Sequence, residues 1–275
     1  MQNLASRRRI GIRLLQSAMA APQSRPLNSP GISQIDRAVL TIREMLLRGD
    51  FEPGERISEL PLAARLQAAN VNVSRTPLRL ALDRLANEGL LRPWPTGGFV
   101  VCEFTLADVW DAIETRGTLE GMAARLAAER LRDESELETL RGLYRQLEEM
   151  IPLDARNFPQ YLELNEAFHS EIWRLARSPM LMRAIEQVVR LPFAAPSALV
   201  FGQAESEHSP RLSVVAQEHH RAIMEAIANR EGTRAESLAR EHARVARQNL
   251  THTVEDWVRR IPGGSLISFQ KPKNS

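Results

Sequence analysis

The chain has 275 residues, 36 Lys+Arg against 34 Asp+Glu for a formal net charge of +2, and 43% hydrophobic side chains. At that length the chain can bury a substantial core, and two domains are the natural expectation. A single cysteine, Cys102, excludes an intrachain disulfide and suits a reducing, cytoplasmic setting.

Charge is uneven along the chain. Residues 1–104 carry 14 basic and 9 acidic side chains, a net of +5, whereas residues 105–261 carry 20 and 25, a net of −5. A basic front half suits a polyanionic partner. The longest uncharged run, Leu191 to Ala204, is too short to span a membrane and contains Pro192 and Pro196. The N-terminus lacks the apolar core of a signal peptide, so no membrane partner is expected.

In chain order, residues 1–33 read as a flexible arm: Arg7-Arg8-Arg9 lead a short basic stretch, and Ala21 to Pro30 is a Pro/Ser-rich linker. From Gln34, the apolar positions Ile35, Val39, Ile42, Leu46 and Leu47 mark a first helix stopped at Gly49. Phe51 to Glu55 is a turn, and Glu59 to Leu66 a second helix. Ser74 then caps a third helix with Pro77 in its first turn. Leu78, Ala81, Leu82 and Leu85 recur at i, i+3, i+4 and i+7 and should be buried, with Gly89 closing the helix. Thr76, Arg79, Leu80 and Asp83 project from the other face, with Arg75 at the flank. An ordinary solvated helix would look the same, but arginines and a hydroxyl at an N-terminal turn also suit a helix entering the major groove. Leu90 to Pro95 and Phe99 to Cys102 read as two strands joined by Thr96-Gly97-Gly98. Helix-turn-helix followed by a hairpin is a winged helix.

On Gly54-Glu55-Arg56-Ile57-Ser58-Glu59, Ser74-Arg75-Thr76-Pro77-Leu78-Arg79 and Glu88-Gly89-Leu90, residues 34–104 resemble the DNA-binding domain of the GntR family of bacterial regulators. The resemblance implies Arg75, Thr76, Arg79, Arg56, Arg92, Gly97 and Gly98 as DNA-contacting positions. Two departures stand out. Gln67 to Asn72 make a longer connection before Ser74 than the short turn usual there, and Leu80 stands where many members carry Glu.

After Thr105 the period becomes that of long helices. Val109, Ile113, Arg116, Glu120 and Ala127 share a face in the first; later faces are marked by Leu137 to Met150, Tyr161 to Leu175, Leu181 to Val189, Val215 to Ala228 and Thr233 to Leu250. About six helices without strand signals indicate an antiparallel α-helical bundle over 105–261, followed by a flexible tail at 262–275. The chain is therefore expected to be mainly α. Three histidines fall among apolar neighbours on separate helices: His169, one turn after Asn165, then His220 and His242. One buried histidine is commonly a hydrogen-bonded core residue, whereas three with an amide oxygen suit a divalent metal. His219 adjoins His220 but points elsewhere.

Residues from about 105 to 255 resemble the FCD effector domain of the FadR subgroup, on Arg116-Gly117-Thr118-Leu119-Glu120, Asn165-Glu166-Ala167-Phe168-His169, Glu218-His219-His220 and Arg240-Glu241-His242. That resemblance implies a divalent metal, zinc foremost with nickel or manganese as alternatives, held by Asn165, His169, His220 and His242. An open coordination position would take a small carboxylate effector, with Arg116 as the other half of a clamp and Tyr161 as an apolar wall; Arg116 could equally pair with Glu120 at i,i+4. Similarity to vanillate-operon repressors suggests an aromatic acid. The expected protein is a homodimeric, ligand-responsive repressor that binds a palindromic operator in double-stranded DNA and is not an enzyme. The alternatives are a metal-dependent enzyme, against which no HExxH motif appears, and a DNA-binding protein whose bundle only dimerises.

Overall fold

The computed structural model describes residues 33–151, 153, 157–191, 194–196, 209–248 and 264–268. The expected arm before Ser33 and the tail beyond Ser268 lie outside the described residues. The chain forms two compact units, one from Met1–Leu106 together with Pro262–Ser275, the other from Ala107–Ile261.

The first unit opens with α1 (Gln34–Arg48), where the Ser33 hydroxyl accepts from the Asp36 amide at 3.1 Å. Then come β1 (Arg56–Ile57), α2 (Glu59–Ala68), α3 (Arg75–Asn87), β2 (Leu91–Pro93), β3 (Phe99–Val101) and β4 (Phe104–Thr105). β3 is central, antiparallel to both β1 and β2, with Arg92 opposite Val100 and Arg56 opposite the same residue on the other side. Ile42 and Leu46 of α1, Leu62 and Leu66 of α2 and the stripe Leu78, Ala81, Leu82, Leu85 of α3 make one core, closed by Phe51, Leu90 and Phe99. The stripe therefore faces inward as its spacing requires. Beneath it, Arg43 of α1 donates to Glu88 just past α3, and both side chains are buried. This pair fixes the third helix onto the first.

Four local readings change. Ser74 sits at the N-cap but its side chain makes no capping hydrogen bond. The hairpin strands are shorter than expected because the turn takes Trp94 to Gly98, with the Trp94 amide bonded to Gly98 O at 3.0 Å. A third strand, β1, was hidden because two residues display no alternation. The long connection between α2 and α3 is largely a helix cap: Asn70 takes φ 60 and the Val71 amide bonds Leu66 O at 2.9 Å. Val71 and Val73 then tuck against the core, which absorbs the extra residues.

The segment expected to begin a loose tail also folds onto this unit. Gly264–Leu266 form a single 3-10 turn and β5 (Ile267–Ser268) pairs in parallel with β4, Phe104 opposite Ile267. Leu266 is fully buried in the same core. Its signal was invisible because its partner strand lies far away in sequence.

The second unit contains, among the described residues, α4 (Leu106–Arg130), α5 (Glu138–Glu149), α6 (Phe158–Leu175), α7 (Pro179–Val189), α8 (Ser209–Ala228) and α9 (Gly232–Gln248). A 3-10 turn at Glu134–Leu137 leads into α5. α8 and α9 form a hairpin closed by Arg230 at φ 59, with the Glu231 amide on Ala226 O at 2.9 Å. Ala123, Ala127, Leu140, Leu147, Phe168, Ile172, Ile223 and Ile227 share a continuous core.

Candidate metal centre and nucleic-acid interface

α6, α8 and α9 each bring one histidine inward. The rings of His169, His220 and His242 have centroids 4.7–5.5 Å apart, and each offers a ring nitrogen within 4.8 Å of the others'. His220 is wholly buried and His169 nearly so. α9 can approach because α4 presents glycine to it: a Cβ on Gly117 would lie 2.8 Å from the Ala243 Cβ, and one on Gly121 2.7 Å from the Arg240 Cγ. Those contacts flank His242.

Hydrogen bonding sets which nitrogen faces the shared space. His220 Nδ1 lies 3.2 Å from Gln217 Oε1, while Gln217 Nε2 donates to Tyr144 O at 3.0 Å. The amide is thus oriented by its own donor, so its oxygen receives the Nδ1–H and the His220 lone pair is left on Nε2. His169 Nδ1 lies 3.5 Å from the Glu120 carboxylate. The Nε2 atoms of both rings are buried with no hydrogen-bond partner. Three imidazoles with converging ring nitrogens, two of them with a buried, unpartnered Nε2, fit a cation ligand set, with Gln217 in the orienting role that such ligands need.

Electrostatics favours the same state. Burial, then the Arg116 guanidinium, lowers the His169 pKa to about 3. His220 and His242 are also held well below the ordinary histidine value, chiefly by burial and then by neighbouring imidazoles. All three are neutral near pH 7, the form that binds a metal.

Asn165 is buried one turn before His169 on α6. Arg116 is buried; its Nη1 donates to Ala194 O at 3.0 Å and its Nε lies 3.8 Å from Glu120, leaving that N–H without a hydrogen bond. The i,i+4 pair is therefore present, and one buried donor remains open. Glu120 itself is pushed above the usual carboxylate range by burial, partly opposed by Arg116 and Trp173. Tyr161 is in the bundle core, its phenol pKa pushed up to about 12 by burial. Phe168 packs on the His220 ring at 4.4 Å between centroids. Phe193, considered as a further wall, lies outside the described residues. His219 is aside from the triad, with its ring 5.8 Å from that of His242. Gln217 was missed by sequence reading; its position three residues before His220, on the same helical face, was the available signal.

In the first unit, Arg75, Thr76 and Arg79 are exposed on α3 around a shallow concavity that also takes in Glu59, Leu80 and Asp83. Neither arginine has an ion-pair partner among the described residues. Arg56 behaves differently: its guanidinium donates to Gly97 O at 2.8 Å and Thr96 Oγ1 at 3.3 Å, so it braces the hairpin tip. Gly97 and Gly98 both have positive φ, and a Cβ on Gly98 would meet Ile57 O at 2.8 Å, so the tip requires glycine there. Arg92 is exposed on β2.

Comparison with known proteins places both units. Residues 34–101 match the family described as bacterial regulatory proteins, gntR family, and residues 111–245 match the FCD domain. The Nta operon transcriptional regulator of Aminobacter aminovorans is 37% identical over 145 residues, which cover 52% of this chain and 65% of that relative. A probable D-xylose utilization operon transcriptional repressor of Paenarthrobacter nicotinovorans is 30% identical over 169 residues, 60% of this chain and 71% of that one. Among solved structures, E. coli McbR/YncC superposes with a TM-score of 0.56 at 22% identity, covering 82% of this chain and 99% of its own, a likeness of fold.

Proposed function

This chain belongs to the gntR family of bacterial regulatory proteins, in the FadR-like group that carries an FCD domain, and from that premise we propose that it is a metal-dependent repressor responsive to a small organic acid. It is a transcriptional regulator rather than an enzyme, as its family and relatives are.

The observation that carries the sensor reading is the meeting of three imidazoles whose ring nitrogens lie within 4.8 Å of one another, two with a buried, unpartnered Nε2. His169, His220 and His242 would hold a divalent cation, with the amide oxygen of Asn165 as a fourth ligand. Zinc suits an imidazole set best, and nickel or manganese would also be accepted. Asn165 and the three imidazoles are all neutral ligands, so the cation's charge would be left for an incoming anion to compensate, at some cost in metal affinity. A carboxylate is such an anion, and the Arg116 Nε–H, buried without a hydrogen bond, would donate to its second oxygen. Aromatic acids are the first class to test, with the buried Tyr161 and Phe168 nearby in the bundle.

DNA is read by α3 through Arg75, Thr76 and Arg79, with Arg92 and the Gly97-Gly98 tip on the adjoining duplex and Arg56 shaping that tip. A homodimer presents two such heads to a palindromic operator in the cytoplasm. Effector binding shifts DNA affinity to the extent that the acid prefers one arrangement of the dimer.

A thermal-shift screen of carboxylic acids on full-length protein, with and without chelator, tests this. Acids that raise the melting temperature only when metal is present support the sensor. Stabilisation unaffected by chelation contradicts the metal's role.

A further inference from the structure

Leu80 is 47% exposed on a helix whose apolar face is already complete, and its place among the groups around it is what sets it apart. Leu78, Ala81, Leu82 and Leu85 fill the core from the opposite side of α3, so Leu80 contributes nothing to it. It lines the concavity framed by Arg75, Thr76, Arg79, Asp83 and, from α2, Glu59. Thr76 and Leu80 are one turn apart, and Asp83 follows three residues later, so the three form one stripe along α3.

The chemistry of that stripe discriminates between parts of a DNA duplex. Arg75 and Arg79 are free of ion pairs among the described residues and can meet phosphate or guanine. Two carboxylates on the same concavity, however, repel a run of phosphates, so its centre suits base edges. An aliphatic group there has one apolar feature to meet in the major groove, the C5-methyl of thymine. We propose that Leu80 is a specificity-determining residue that reads a thymine methyl in each operator half-site, in a register set by the arginines beside it. The proposal rests on the DNA-reading function above and adds the base that this chain's own leucine selects.

The experiment begins by selecting preferred duplexes from a random pool with full-length protein at fixed salt. Selected duplexes are then titrated with single thymine-to-deoxyuridine replacements in both half-sites, using the parent protein and Leu80→Ala. Deoxyuridine removes the methyl and keeps every hydrogen-bonding group, and a change on the DNA cannot unfold the protein. At one thymine position the parent should lose about fourfold in affinity per half-site, the worth of burying one methyl-sized group. Leu80→Ala should bind thymine and deoxyuridine duplexes alike at that position.

The proposal is overturned if no replacement weakens the parent, or if Leu80→Ala keeps the full preference for thymine. In either case a selected sequence still upholds DNA reading. A pool that yields no preferred sequence overturns DNA reading and Leu80's role together.

Discussion

Gln217 settles the chemistry of His220 without itself being positioned to ligate a cation. Its amide is held by Tyr144 O, so it accepts the ring N–H and frees the opposite nitrogen. Gln217→Leu should weaken zinc binding about 10–100-fold, measured by chelator competition, the range for lost orienting partners. Unchanged affinity would make Gln217 a core residue only. Glu88 is a second single-residue test. Glu88→Ala leaves buried Arg43 unpaired and should destabilise the first unit by about 3–5 kcal/mol in denaturant unfolding. Tyr161 gives a pH signature. Its folded pKa, about 12, exceeds the unfolded value near 10. The unfolded chain therefore loses this proton first, and the associated stability is present below about pH 10 and lost as pH rises towards 12, about 2–3 kcal/mol in all. Tyr161→Phe should flatten that alkaline loss in a comparison of unfolding at pH 8 and pH 11. The three histidines were legible in the sequence because each falls among apolar helix neighbours. The role of Gln217 was not, because a hydrogen bond to one particular ring nitrogen depends on rotamers that no spacing encodes.

At the scale of elements, α3 was readable from its apolar stripe and glycine stop, both strong local signals. β1 and β5 were not. Each is two residues long and is stabilised by a distant partner, so tertiary pairing decides it. Deleting residues 264–275 tests how much β5 and its preceding turn contribute. Leu266 and Ile267 are both buried, and losing them should cost about 3–5 kcal/mol of stability in the first unit. Denaturant unfolding of the deleted chain checks this, while its zinc content should be unaltered. Gly121 plays a comparable part in the bundle, where any Cβ would press on Arg240 and Glu236 O of α9.

For the molecule as a whole, a basic front half and acidic back half correspond to the two units, one matching the DNA-binding domain of the gntR family and the other the FCD domain. Family membership fixes the class of activity; the residues fix how this chain performs it. Arg79→Ala should lower affinity for a selected duplex by roughly 1–3 kcal/mol and relax its sequence preference. His220→Ala should leave DNA affinity without effector intact and abolish the metal-dependent response to acids. The most direct measurement is calorimetric titration of chelator-stripped, full-length protein with zinc, alongside His220→Ala. The account predicts saturation at one zinc per chain in the parent and none in the variant. Absence of saturable binding in the parent, or identical binding in both, would contradict it.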